Sequence, residues 1–169
     1  MKILSLDLST HSSGWAFFEG ETLKDYGCIT ATSSDLINRI SKITKELKEI
    51  LDKYSPIDKI ILEEVRPDGR GYGVGNLQTH RALMWLQAAV AFLIHDNYNH
   101  IEIIYVYPSS WRASIGIQTG RGIKRADLKK KDIAFVEEKY SIKVNDDIAD
   151  AIGIGLSQIK REESDLNWE

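Results

Sequence analysis

The chain has 169 residues, 43% of them hydrophobic and 28% charged, which is typical of one globular domain with a real core. Its net charge of -3, taken alone, argues against a general nucleic-acid coat protein, but it does not exclude a local basic patch. The single cysteine, Cys28, excludes an internal disulfide and a cysteine-based metal cluster.

Apolar periodicity predicts strands that alternate with helices after an initial meander. In chain order, the prediction is strands at 3–9, 15–18 and 23–30, a helix at 33–54, a strand at 59–65, a helix at 76–95, a strand at 101–107, and helices at 126–140 and 146–160. A turn is expected at 11–14 and a connection at 109–125. This order predicts an α/β fold with a mixed five-stranded sheet and helices on both faces. We expect one domain over 1–160 and a short polar tail at 161–169.

Acidic side chains lie at the ends of three of these elements. Asp7 lies on the first strand, where an unpaired charge would be costly, and Glu63 and Glu64 end the fourth strand. On the last helix Asp147 and Asp150, three residues apart, share one face. Because converging carboxylates repel one another, they need protons or cations, and hard oxygen ligands suit Mg²⁺ or Mn²⁺.

The neighbouring acids also have an ordinary structural interpretation. Asp146 and Asp147 suit the first turn of a helix, which favours negative charge, and either Glu63 or Glu64 suits an exposed strand end. Spacing alone therefore chooses neither Glu63 over Glu64 nor Asp147 over Asp146. Asp7 is harder to explain in this way. The occurrence of acids at the ends of three separate elements favours a two-metal site that cleaves phosphodiesters.

Three segments resemble the acidic motifs of RuvC-type Holliday-junction resolvases, which belong to the RNase H-like nuclease superfamily. They are ILSLDLSTHSSGWAFF, KIILEEV and NDDIADAIGIGL, and they follow the order of the family over nearly the whole chain. The resemblance implies an RNase H-like fold. It also implies that two Mg²⁺ ions, replaceable by Mn²⁺, are bound by four catalytic residues, Asp7, Glu63, Asp147 and Asp150. The short length and divergent middle suggest a phage-borne version.

A basic segment precedes the last helix. RGIKRADLKKK, at 121–131, carries six basic residues and one acid, which suits either a solvated helix face or a phosphate-binding surface. Its place before the acidic helix favours the second interpretation. The expected DNA-binding residues here are Arg121, Lys124, Arg125, Lys129 and Lys130. The resemblance further implies a catalytic Lys131 near the scissile phosphate and a DNA contact from Arg112, where the family has a lysine.

The glycine-rich segment GRGYGVG predicts a loop and no nucleotide cofactor, because it lacks the Lys-Ser/Thr pair of a phosphate loop and an acid placed for a ribose. In the family this region reaches the junction crossover, and an aromatic residue just past the central-strand glutamate stacks on a base. This chain has Arg66 there. By position, Arg70 and Tyr72 are the substitutes that we expect to contact DNA.

The helix at 76–95 is apolar on more than one face, which suits both core packing and a partner. The resemblance implies a homodimer through this region, with two active sites facing two strands. The longest apolar stretch, 82–94, is too short to span a bilayer, and no secretion signal is apparent. We therefore expect no membrane partner and a cytoplasmic location, in the bacterial host if the chain is phage-encoded.

The leading hypothesis from the sequence is a metal-dependent endonuclease that nicks branched DNA as a two-fold dimer. One alternative keeps the fold and changes the substrate to RNA in RNA–DNA hybrids. A second alternative is a catalytically silent module that only binds branched DNA.

Overall fold

The computed structural model describes residues 1–65, 74–120 and 122–166. Its strands are β1 Lys2–Asp7, β2 Ser12–Glu19, β3 Thr22–Thr30, β4 Lys59–Glu63 and β5 Glu102–Val106. Its helices are α1 Leu36–Tyr54, α2 Val74–Asn97, α3 Pro108–Ser114, α4 Arg125–Tyr140 and α5 Asp146–Leu166.

The strands form one mixed sheet in the order β3-β2-β1-β4-β5. The first three strands pair antiparallel, whereas β1, β4 and β5 run parallel. Because β1 and β4 are parallel neighbours, their last residues, Asp7 and Glu63, reach the same edge of the sheet. The predicted α/β fold with a mixed five-stranded sheet is confirmed.

Each face of the sheet is covered by its own hydrophobic cluster. On one face, Leu4 and Leu62 pack with buried side chains of α1 and α2. On the other face, Ile3 and Ile61 pack with α3, α4 and α5. Neighbouring residues of β1 and of β4 therefore bury side chains in opposite directions, which explains their near-continuous apolar sequences.

Several predicted boundaries differ from the structure. The predicted connection at 109–125 contains α3, which begins at Pro108, a residue pre-organised for the first turn of a helix. The predicted turn at 11–14 is wrong, because β2 already begins at Ser12 and pairs Gly14 with Asp7. The last helix extends beyond residue 160 to Leu166.

The helix α2 is only partly covered by the rest of the chain. Leu86 and Val90 are buried in the core, whereas Met84, Trp85 and Phe92 are 51%, 48% and 69% exposed. Across the described ranges, no helix combines the length and the apolar character that a membrane span requires. This half-covered helix presents an apolar surface of the kind that mediates contacts with partners.

Candidate active site

Asp7 ends β1 among charges that come from other elements. Burial, together with the carboxylates of Glu63 and Asp147, raises the pKa of Asp7 from its ordinary value to about 7. The positive charges of Lys129 and Arg112 act in the opposite direction without cancelling this rise. The first-strand aspartate therefore lies in an environment that disfavours its own negative charge.

Glu63 ends β4 and has a defined hydrogen-bond partner. The indole nitrogen Nε1 of Trp111, on α3, donates to Oε2 of Glu63 at 2.7 Å. Burial raises the pKa of Glu63, and the hydrogen bond opposes this rise. The backbone N–H of Glu64 instead continues the sheet, donating to the carbonyl of Val106 at 2.8 Å. Of the two glutamates, Glu63 is the one whose charge raises the pKa of Asp7.

The N-terminal part of α5 carries three aspartates with different surroundings. A hydrogen bond from Lys129 lowers the pKa of Asp146. Asp147 Oδ2 accepts a hydrogen bond from Ser12 Oγ, on β2, at 2.5 Å. Asp150 is buried, and its burial together with the β1 carboxylate raises its pKa to about 8. Asp147 and Asp150 thus interact with the strand-end acids, whereas Asp146 is paired with a lysine.

A glycine allows α5 to approach the sheet closely. A Cβ atom at Gly14, on β2, would lie 1.9 Å from the backbone oxygen of Asp147. Such a contact is sterically impossible, so any side chain at position 14 would push the start of α5 away. Gly14 also pairs with Asp7 across the β1–β2 ladder. This glycine therefore sets how closely the acids of α5 approach the acid of β1.

A half-buried arginine connects Asp150 with a further acid, Asp132. Arg112 donates from Nε to Oδ2 of Asp132 at 2.9 Å, and its Nη2 forms an ion pair with the same oxygen at 2.9 Å. Its Nη2 also lies 3.3 Å from Oδ1 of Asp150, and its Nη1 donates to the carbonyl of Pro108. Asp132 is only 1% exposed, so its charge depends on Arg112 for compensation.

No protein-family model and no curated protein matches this chain. Solved structures do match it. The RuvC of T. thermophilus in complex with Holliday junction substrate superposes with a TM-score of 0.74 at 13% identity, over 97% of this chain and 96% of that one. The chain has the RNase H-like fold of RuvC.

Two further structures support the same fold. A second Thermus thermophilus RuvC structure gives a TM-score of 0.72 at 15% identity, over 98% of this chain and 97% of that one. The yeast mitochondrial Holliday junction resolvase Ydc2 gives 0.62 at 13% identity, over 95% of this chain and 78% of that one. At such identities the likeness establishes the fold, and the chemistry must be argued from the residues.

The chemistry of the acids fits divalent metal ions. Within residues 1–65, 74–120 and 122–166, no three His, Cys, Asp or Glu side chains already stand at the spacing of a metal site. Burial and, after it, the mutual repulsion of the carboxylates at this edge of the sheet nevertheless raise the pKa values of Asp7 and Asp150. Hard oxygen donors of this kind bind Mg²⁺ and Mn²⁺, and the added positive charge would relieve the repulsion.

The predicted basic residues have varied surroundings on the RuvC-type fold. Lys131 donates from Nζ to the carbonyl of Gln118 at 3.2 Å, and Lys129 pairs with Asp146. Arg112 uses its donors within the protein, and its predicted DNA contact stays a prediction. Three predicted DNA-binding residues of α4 and its N-terminal flank are exposed, namely Lys124, Arg125 and Lys130. Four others lie outside the described residues, namely Arg66, Arg70, Tyr72 and Arg121.

Sequence reasoning missed three side chains that contact the candidate ligands or their partners. Ser12 contacts Asp147, Trp111 contacts Glu63, and Asp132 binds Arg112. Ser12 and Trp111 carry no periodic or charge signal of their own. Asp132 had one weak signal, because it is a single acid that directly follows three lysines.

Proposed function

We propose that this chain is a metal-dependent endonuclease that cleaves phosphodiester bonds in branched DNA, such as Holliday junctions, as a symmetric dimer. The observation that carries the proposal is the convergence of Asp7, Glu63 and Asp147: β1 and β4 end side by side, and Gly14, paired with Asp7, packs against the backbone of Asp147. Three elements far apart in the sequence contribute these acids to one edge of a RuvC-type sheet. The structural neighbour bound to Holliday junction substrate supports the choice of branched DNA.

Four residues would hold the metal, namely Asp7, Glu63, Asp147 and Asp150. When bound, two Mg²⁺ or Mn²⁺ ions supply the positive charge that activates a water and stabilises the leaving oxygen. The protein places the acids on two strand ends and one helix, which fixes them on rigid elements. Trp111 and Ser12 each donate a hydrogen bond to one of these carboxylates and so limit its rotation.

The exposed basic residues of the α4 region would bind the phosphates of the substrate. Lys124, Arg125 and Lys130 are exposed, and α4 packs directly against α5, which carries Asp147 and Asp150. A DNA strand on this surface would therefore pass close to the acids. Phosphate contacts of this kind supply affinity and position the backbone without reading the sequence. Lys131 is the residue that we propose to act nearest to the scissile phosphate.

The uncovered surface of α2 supports the dimer. Met84, Trp85 and Phe92 form an exposed apolar surface on a helix whose other side packs in the core. A second copy of the chain would bury this surface in a two-fold interface, which presents two identical sites to a branched substrate. A cytoplasmic location and a phage origin stay predictions.

The direct test is cleavage of three substrates with added Mg²⁺: a synthetic four-way junction, a linear duplex of the same sequence, and an RNA–DNA hybrid. We expect paired cuts in the junction and little cleavage of the other two. Preferential cleavage of the hybrid would favour the RNase H-type alternative. Binding of the junction without any cleavage would favour the silent module.

An Asp150→Asn variant provides the matched control for this test. The nuclease should lose cleavage while it keeps junction binding, because the basic surface is unchanged. A silent binding module would show the same profile with and without the substitution.

A further inference from the structure

We propose that two adjacent residues of α3, Trp111 and Arg112, are positioning residues that fix two candidate metal ligands relative to each other. This inference rests on the proposed function, because its readout is Mg²⁺ binding by those ligands. Trp111 contacts Glu63 of β4, and Arg112 contacts Asp150 of α5. One short helix therefore joins carboxylates from two separate elements.

The indole of Trp111 is held so that its N–H can point in only one direction. The side chain is fully buried in the cluster between the sheet and α5. A Cβ atom at Gly153, on α5, would lie 2.4 Å from Cζ3 of the ring, so the ring packs directly on the helix backbone. Because the indole nitrogen is only a donor, its single hydrogen bond goes to the Glu63 carboxylate. Packing thus fixes the position of that carboxylate.

The guanidinium of Arg112 is held on three sides. It lies over the ring of Trp111, with 4.0 Å between Cζ and the ring centroid. Asp132 accepts from Nε and forms an ion pair with Nη2, and the carbonyl of Pro108 accepts from Nη1. The remaining direction of Nη2 leads to Asp150, at 3.3 Å. A planar fork can make these contacts together, whereas the single ammonium of a lysine cannot.

These contacts would matter for metal binding because Mg²⁺ demands nearly ideal octahedral geometry. A ligand that rotates freely must be ordered when the ion binds, whereas a ligand held by a buried partner is already ordered. Loss of such an outer partner typically costs about 10–100-fold in metal affinity or activity. A purely structural role for α3 would instead lower stability and leave Mg²⁺ affinity unchanged.

Two conservative variants separate these roles. Trp111→Phe keeps an aromatic ring against Gly153 and removes only the N–H group. Arg112→Lys keeps the positive charge and removes the fork. The matched controls are Trp15→Phe and Arg39→Lys, which change the same residue types away from the acids; Trp15 packs near Tyr54, and Arg39 binds the carbonyl of Ser33.

The measurements are the Kd for Mg²⁺ of the metal-free full chain by calorimetry, and the Mg²⁺ concentration that gives half-maximal junction cleavage. We expect both values to rise about 10–100-fold in Trp111→Phe and in Arg112→Lys. Cleavage at saturating Mg²⁺ should recover, and both controls should match the wild type. The Tm without metal reports any separate loss of stability.

Unchanged Mg²⁺ affinity in both α3 variants would overturn the inference, and so would an equal loss of affinity in the controls. If one variant fails to fold, the affinity of the other decides. A wild type that binds Mg²⁺ but cleaves no junction would contradict the proposed function and leave the positioning role to be decided by calorimetry alone. A wild type that binds no Mg²⁺ would overturn both.

Discussion

Two regions of this molecule surround their aspartates in opposite ways. On α1, the exposed Asp52 accepts hydrogen bonds from Lys48 and Tyr98, and these bonds lower its pKa. At the sheet edge, the half-buried Asp7 and the buried Asp150 lie near other carboxylates, and their pKa values rise to about 7 and about 8. Asp52 is thus paired with its own lysine, whereas Asp7 and Asp150 share nearby positive charges with other acids.

The difference shows that the sheet edge lacks positive charge. Its candidate ligands, together with Asp132 and Asp146, share few cations among the described residues, chiefly Arg112 and Lys129. A folded protein tolerates unbalanced buried charge mainly where function requires it. We interpret the sheet edge as a site built to receive additional positive charge, and α1 as an ordinary solvated surface.

Replacing Asp7 with Asn should produce the largest effect. The variant loses a central ligand, so we expect single-turnover junction cleavage to fall by at least about 10³-fold, corresponding to several kcal/mol of lost transition-state stabilisation. Junction binding in a gel-shift assay should be retained. Asp52→Asn is the matched control and should cleave at the wild-type rate. Equal rates for Asp7→Asn and the wild type would show that the two regions do not differ in function.

Replacing Gly14 with Ala should separate the start of α5 from β2. The added methyl would overlap the backbone oxygen of Asp147, so we expect a loss of about 1–3 kcal/mol in the free energy of unfolding, measured with urea. Cleavage should fall as well, because the acids of α5 move away from the strands. Gly120→Ala, where a Cβ meets nothing within 4 Å, is the control. If Gly14→Ala and Gly120→Ala have the same stability and the same cleavage rate, the close approach of α5 to β2 does not set the position of the acids.

The stability of the metal-free protein should depend on pH in the direction set by the buried acids. Because folding raises the pKa values of Asp7 and Asp150, the folded state binds more protons than the unfolded state between the ordinary and the raised values. The resulting stability is fully present below the ordinary pKa near 3.8 and is lost as the pH rises through about 7 to 8. We expect the free energy of unfolding to fall by several kcal/mol between pH 5 and pH 8, because each of the two carboxyls contributes about 1.4 kcal/mol per pH unit up to its raised pKa. Saturating Mg²⁺ should restore it at pH 8. A metal-free protein that becomes more stable over this interval would contradict the assignment.

Replacing Lys130 with Ala should have the smallest effect. Removing one phosphate contact should weaken junction binding a few-fold and lower the slope of log K against log salt by about one. Lys45→Ala, on α1, removes a lysine of the region that we interpret as an ordinary surface and should leave the slope unchanged. An identical slope in the wild type and both variants would show that Lys130 does not contact a DNA phosphate.

The sheet and most helices were predictable because burial imposes a period on the sequence. In α1 the buried residues recur at spacings of three and four, and in β4 three consecutive residues are buried, as expected of a strand covered on both faces. The acids were also predictable as a group, because each one interrupts or ends an apolar element. Periodicity did not separate Glu63 from Glu64, since what distinguishes Glu63 is its charge interaction with Asp7, a residue of another strand.

The contacts of α3 could not be predicted in the same way. The helix has 7 residues, which is too short for a periodic pattern to emerge. Trp111 and Glu63 are 48 positions apart, and Arg112 and Asp150 are 38 apart, so neither pair has a local signature. The packing of α3 against α5, next to the end of β4, brings these side chains together.

The most direct test is anomalous diffraction from a crystal soaked in Mn²⁺. We expect manganese peaks next to the Asp7 carboxylate, within coordination distance of Glu63 and of the α5 aspartates Asp147 and Asp150. A well-ordered crystal with no peak at this edge, or with manganese only on surface acids such as Asp52, would contradict a metal site formed by these four acids.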